Sequence, residues 1–254
     1  MARPPALVDQ LRALTHARVQ LGRSGSAIPT RALLEFQGDH ARARDAVYAE
    51  LATGGLAEAI GRPVIEVRSR ASDRAEYLRR PDLGRLLAVD DEAKLTPAGD
   101  QLAIVVADGL SAIAVQAHAA SAVNALVERL PDWRIAPVVV ARQARVALGD
   151  AIGALLGVEL VVVLIGERPG LTAPDSLGAY ITWQPRPGRM DSERNCVSNI
   201  RPPLGLSYAD AATAISALLR AALSAGKTGV ALKGALPAVA ASAGLGDIIG
   251  EDPR

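Results

Sequence analysis

The chain has 254 residues, half of them hydrophobic, with 28 basic and 27 acidic side chains and a net charge of +1. Its apolar content excludes a disordered chain, and the near-zero charge lacks the broad basic footprint of a nucleic-acid binder. One Phe, two Trp and four Tyr leave Ala, Leu, Val and Ile to fill the core, which points to helices packed on a Val/Ile sheet. Only Lys94, Lys227 and Lys233 are lysines, and GC-rich codon usage explains most of the arginine excess.

A single cysteine, Cys196, makes no internal disulfide, so a reducing cytosol is the expected compartment. The N-terminus breaks its apolar residues with Asp, Gln and Arg and holds no signal-peptide core. The longest apolar run, LVVVLIG at 160–166, is strand-length and far short of a membrane span.

Taken in chain order, Pro4 to about Thr15 reads as a short amphipathic helix, followed by a Gly/Ser loop at 22–26. Pro29 and Thr30 open a long helix that Gly54 and Gly55 end, with Leu33, Phe36, His40, Val47 and Leu51 on one face. VIEVR (64–68) is strand-like. Ser72 and Asp73 followed by Glu76 mark a helix start that Pro81 terminates. Residues 90–100 are polar, contain Pro97 and Gly99, and read as a connection.

Beyond it, strands and helices alternate. LAIVVADG (102–109) is a buried strand, and Ser111 caps a helix whose predicted face is Ile113, Ala117, Ala120, Val123, Val127 and Leu130. PVVVAR (137–142) is the next strand, with a short helix around Asp150–Leu156 after it. ELVVVLIGERPG (159–170) and AYITWQ (179–184) give further strands, 207–225 a long helix with Ala211, Ile215, Leu218 and Ala222 inward, and GVALK (229–233) a last strand. The expected fold is α/β: a Rossmann-like, mostly parallel sheet with helices on both faces, preceded by a smaller, mainly helical N-terminal domain. The expected boundaries are 1–95, 96–233 and a flexible tail at 234–254. Such sheets bind ligands at the carboxyl ends of their strands, which nominates Asp108–Gly109, Arg142 to Val146 and Gly166 to Gly170.

Nucleotide and catalytic signatures fail. AALSAGKT (221–228) has Ala221 where a phosphate loop needs glycine, and it follows a helix rather than a strand; Gly226 reads as a helix cap. GLGDIIG (244–250) has the wrong spacing. His16, His40 and His118 share no metal-ligand spacing with one another or with Cys196, and His40 and His118 read as structural helix residues. No metal ligand and no catalytic residue is assigned. Cys196 has no neighbour in sequence to activate it, and reads as a small residue in a tight turn. Two segments resist that kind of explanation: 166–180, directly after the most apolar strand, and the polar stretch 186–202 with Asn195, Ser198 and Asn199. Long polar loops in compact domains are usually functional or disordered, so these suggest recognition of a large ligand or a partner surface, with a solvated loop as the alternative. A free-standing, doubly wound nucleotide-binding enzyme is the competing reading of the fold.

GERPGL (166–171), RNCVSNI (194–200) and RPDLGR (80–85), together with the blocks at 22–47, 67–85 and 107–118, resemble the small subunit of ethanolamine ammonia-lyase from about Arg18 to Lys233. The resemblance implies an adenosylcobalamin enzyme that converts ethanolamine to acetaldehyde and ammonia by radical chemistry. A TIM-barrel large subunit would hold the substrate and the catalytic residues, and the small subunit would close over the cobalamin. The family's cofactor contacts fall on Val146 in ARVALGD, Glu167 in GERPG and Cys196 in ERNCVSNI. Val146 is expected to give an apolar or main-chain contact. Glu167 would accept hydrogen bonds from a corrin amide or the nucleotide tail, and a small, protonated Cys196 would permit close backbone approach. Arg145, Asp108 and Asn199 form a second tier, for each of which ion pairing or capping is an equal explanation. No D-x-H-x-x-G pattern occurs, so the cofactor is expected base-on, keeping its dimethylbenzimidazole ligand while it carries the radical step. Many relatives begin with an extra packaging segment, whereas this chain starts almost directly at its first helix. The expected location is the cytoplasm, with encapsulation in a bacterial microcompartment left open.

Overall fold

Runs of Val, Ile and Leu build the centre of a six-stranded sheet in the computed structural model, which describes residues 22, 23 and 25–233. The predicted first helix at 4–15 and the C-terminal tail lie outside the described residues. The elements are α1 (Thr30–Tyr48), α2 (Leu56–Ile60), β1 (Val64–Arg68), α3 (Arg74–Arg79), α4 (Val89–Glu92), β2 (Leu102–Ala107), α5 (Ala112–Glu128), β3 (Val138–Arg142), α6 (Leu148–Leu156), β4 (Leu160–Gly166), β5 (Leu177–Trp183), β6 (Asn195–Ile200), α7 (Tyr208–Ala225) and α8 (Val230–Lys233).

The strand order is β1-β3-β2-β4-β5-β6. β1, β3, β2 and β4 run parallel, and β5 and β6 add two antiparallel strands at one edge. Every residue of β2 and β4 is buried, as expected where helices cover both faces. Alternation divides the side chains. Leu102, Ile104 and Val106 of β2 pack toward α5 and α7, while Ala103, Val105 and Ala107 pack toward Leu148, Ile152 and Leu156 of α6.

Local capping follows the sequence closely. Asp73 accepts the Glu76 amide at the start of α3, and Ser111 accepts the Ala114 amide at the start of α5. Ser207 does the same for Asp210 at the start of α7. Among the described residues no helix is long and apolar enough to cross a membrane.

Five expectations are corrected. The long helix ends at Tyr48, well before Gly54, because the chain becomes extended at Ala49 to carry Leu51 into the core. Leu33 and Phe36 on its expected inner face are exposed. Val123 and Leu130 of the expected α5 face are buried, but the rest of the buried face is Val115, His118, Ala119, Ala122 and Leu126, whereas Ile113 and Ala117 face outward. That helix is so rich in Ala that apolar spacing does not discriminate one face from another. GVALK is not a strand: Gly229 takes φ +77° and the chain turns into one helical turn, α8.

The fifth correction concerns 186–202, which is not a long loop but a short 3-10 turn (Asp191–Glu193) followed by strand β6. The alternation of β6 is hidden for two reasons. A buried Asn195 occupies an inward position, and Asn199, at φ +62°, shifts the phase so that Val197 and Ile200 are the buried pair.

Candidate functional site

The carboxyl ends of β2 and β4 meet with almost no space between their backbones. Leu110 donates its amide to the Gly166 carbonyl at 2.9 Å. A methyl group on Gly109, which has φ +55°, would sit 2.2 Å from the Gly166 oxygen; one on Gly166 would sit 2.0 Å from the Ser111 oxygen. Only glycine permits this approach. Beside it, Asp108 is buried and accepts the amides of Gln143 and Ala144, both at 2.9 Å, fixing the turn after β3. Burial pushes the Asp108 carboxyl above its ordinary range, against those two amides and Arg74. Asp108 is therefore a structural clamp beneath the site, its carboxylate spent on backbone amides and on the ion pair with Arg74.

Above this floor lies an open cleft of about 480 Å³ lined by Tyr77, Gly109, Leu110, Arg145, Val146, Ile165, Gly166, Glu167, Arg168, Tyr180 and Ser198. It occupies the strand-end region that the sheet rule nominates. Two of the three expected contacts, Val146 and Glu167, are in its wall. Glu167 is held rigidly: Oε1 accepts the Ser198 hydroxyl, and Oε2 accepts the Ser176 hydroxyl and, at 3.4 Å, the Asn199 amide. Gly178 makes room for it, since a methyl there would sit 2.7 Å from Oε1. A carboxylate offers about four lone-pair directions, so Oε1, with one hydrogen bond, retains acceptor capacity.

Cys196 does not line the cleft. It sits on β6, not in a tight turn, directly opposite Tyr180 of β5. Ser198, two residues on, shares its face and reaches the lining. The cysteine is thus at the rim. As a residue it is exposed, yet enclosure of its sulfur pushes the thiol up from its ordinary value, and the Glu167 charge pushes the same way against a hydrogen bond with Tyr180. Tyr180 is likewise pushed up to about 12, chiefly by burial. Both groups are neutral at pH 7.

Much of the polar stretch after β5 is spent inside the protein. Arg194 forms a two-pronged ion pair with Asp150 at 2.6 and 2.7 Å, with both side chains 1% exposed. It also donates to Thr182 Oγ1 at 2.9 Å and to the Arg189 carbonyl at 3.1 Å. Asn195 accepts the Gly229 amide at 2.8 Å. These bonds tie β6 to α6 and to the start of α8, and so fix the strand that carries Cys196 and Ser198. Asn199 contributes through its backbone, donating to Glu167 and accepting Leu206 N–H at 2.8 Å. His118 is buried against the Tyr208 hydroxyl at 2.9 Å and faces Asp175, in keeping with a structural role. His16 lies outside the described residues.

Sequence reasoning placed Ser176 and Tyr180 inside the nominated segment 166–180 and Ser198 inside 186–202 without assigning any of them a contact, and it missed Tyr77 altogether. Tyr180 was recoverable as one of the few aromatics in a strand next to the GERPG block. Nothing local marks Tyr77, which α3 brings from 69 residues before Val146.

The chain matches the family described as ethanolamine ammonia-lyase light chain (EutC) over residues 6–233. It is 58% identical over 232 residues to a protein of Bradyrhizobium diazoefficiens named ethanolamine ammonia-lyase small subunit, covering 88% of each chain. A protein of the same name from Rhodopseudomonas palustris is 57% identical over 232 residues, again 88% of each. One from Azotobacter vinelandii is 50% identical over 236 residues, 89% of this chain and 87% of the other.

Proposed function

Because the chain belongs to the ethanolamine ammonia-lyase small-subunit family, it is part of a lyase, and we propose that its cleft forms one wall of an adenosylcobalamin site completed by a large subunit. The assembled enzyme then converts ethanolamine to acetaldehyde and ammonia, with the substrate-converting residues on the large subunit. The observation that carries this reading is the convergence of distant blocks: Val146 and Glu167 share one cleft, and Cys196 stands at its rim beside Tyr180.

The chemistry of the cleft suits cobalamin. The cofactor is amphipathic and amide-rimmed, and larger than an open cleft of about 480 Å³ encloses, so a second wall from a partner is required. Leu110, Val146 and Ile165 offer apolar contact, Ser198 and Tyr180 offer hydroxyls, and Glu167 offers a fixed acceptor. Arg145 Nε is buried without a partner in the same wall, a polar atom left over for a ligand. When bound, the cofactor would supply the radical chemistry, while Glu167, Val146 and their neighbours in this wall would bind it, orient it and exclude water from one side. The reading places the enzyme in the cytoplasm.

Glu167→Gln tests the reading. The substitution removes the charge and leaves the Ser176 and Ser198 hydroxyls competing with an amide donor. The complex with the large subunit should still assemble, while its Kd for cyanocobalamin, read by spectral titration, rises roughly tenfold or more, the value of a lost charge-assisted hydrogen bond. An unchanged Kd removes Glu167 from the site.

A further inference from the structure

The cleft wall contains a cation that the fold itself leaves unused. The guanidinium groups of Arg74 and Arg145 both lie over the Tyr77 ring, at 4.9 and 4.6 Å from its centre. Arg74 is held by the fold: its Nε donates to the Val47 carbonyl at 2.8 Å and its Nη1 to the Gly109 carbonyl at 2.9 Å and to Asp108, which neutralises it, although its Nη2 is buried without a hydrogen-bond partner. Arg145 is not neutralised. Its Nε is buried without a hydrogen-bond partner, and among the described residues it has no carboxylate partner.

Its position is nevertheless fixed. Its amide donates to the Gly84 carbonyl at 2.8 Å, and a methyl on Gly84 would sit 2.7 Å from the Tyr77 ring and 3.0 Å from Arg145 Cγ. Tyr77 is anchored in turn, its hydroxyl donating to the Ala144 carbonyl at 3.1 Å. The positive end of the α6 helix dipole opens next to it, at Ala147 and Leu148. Holding an unpaired guanidinium half-buried is costly unless something outside the chain compensates it. Arg168, on the same wall, is exposed and held by no such stack.

We propose that Arg145 is the anion-recognising residue of the cleft and takes the phosphodiester of cobalamin's nucleotide tail. The phosphodiester is the one anionic group on a cofactor whose other rim groups are neutral amides, and a planar guanidinium matches phosphate oxygens in pairs. The inference rests on the cobalamin reading above and adds to it which part of the cofactor this wall reads.

Cobinamide, which keeps the corrin ring and its amides but lacks the nucleotide and the phosphate, separates the two ideas. In the complex with the large subunit, Arg145→Gln should raise the Kd for cyanocobalamin on the order of 10- to 100-fold and leave the Kd for cobinamide within about twofold. Arg145→Lys should recover part of the loss. Equal weakening of both ligands, or of neither, overturns the assignment. If Glu167→Gln weakens both ligands while Arg145→Gln changes neither, the phosphate assignment alone fails; if neither variant changes either ligand, the cobalamin reading itself fails. Should Arg145→Gln not assemble, the wild-type complex still decides. Raising salt should weaken cyanocobalamin and spare cobinamide, and parallel salt dependence overturns the proposal.

Discussion

Removing Arg194 should damage this protein more than any change at the cleft surface. In Arg194→Met the Asp150 carboxylate keeps its burial but loses both prongs of its partner at 2.6 and 2.7 Å, and Thr182 Oγ1 and the Arg189 carbonyl lose a donor. Breaking a buried ion pair from one side costs about 3–5 kcal/mol, a large share of the roughly 5–15 kcal/mol that holds a domain together. For a chain of this size that is a fall in Tm of roughly 6–20 °C. The loss should also depend on pH. Burial raises the Asp150 carboxyl even with Arg194 beside it, and without the cation it rises further above its unfolded value. A raised carboxyl penalises the folded state fully at pH above its folded pKa, and the penalty disappears as pH falls through that value. The gap between variant and wild type, followed by thermal unfolding of the purified protein, should therefore be widest near neutrality and narrow in mild acid. Replacing both partners, Asp150→Leu with Arg194→Met, should recover most of the stability, because no charge is left stranded. A single variant within about 1 kcal/mol of wild type at pH 7, or a loss that grows on acidification, would refute the argument that this pair anchors β6.

Two more outcomes follow from the cleft itself. Gly166→Ala would place a methyl 2.0 Å from the Ser111 oxygen and 2.6 Å from the Asp108 oxygen, so α5 must shift at its start. Overpacking of this kind costs about 1–3 kcal/mol, and a variant with wild-type Tm would show that the two strand ends have slack. Cys196 is exposed but its thiol is held above its ordinary value. It should react with iodoacetamide more slowly than free cysteine at pH 8, accelerate as pH rises past 9, and be protected by added cyanocobalamin, since the thiolate is the attacking species. A rate that plateaus below pH 9 contradicts the raised thiol, and no protection moves Cys196 away from the cofactor.

The legible parts of the fold were those where one local signal was enough. Continuous Val/Ile runs can only be satisfied by burial on both faces, and β2, β3 and β4 lie where the sequence puts them. Asp73, Ser111 and Ser207 announce helix starts because capping is settled within four residues. The α5 face was legible only in part, at Val123 and Leu130, since an Ala-rich helix has several faces of similar apolarity and its packing against the sheet and α7 selects one. β6 was hidden for a related reason: its inward Asn195 looks polar until Gly229 arrives to satisfy it.

The sequence by itself determined the family, through the blocks around Arg80, Glu167 and Cys196, and it determined the sheet class, because those depend on residue order and local patterning. The tertiary structure decided the charges. Of the many arginines, Arg194 is paired with Asp150 and Arg74 with Asp108 and backbone carbonyls, while Arg145 is wedged over Tyr77 with no carboxylate partner among the described residues. Composition cannot distinguish these three fates. Whether a guanidinium is spent on the fold or kept for a ligand depends on which acceptors other elements bring within about 3 Å, and those acceptors lie between 27 and 44 residues away in the chain.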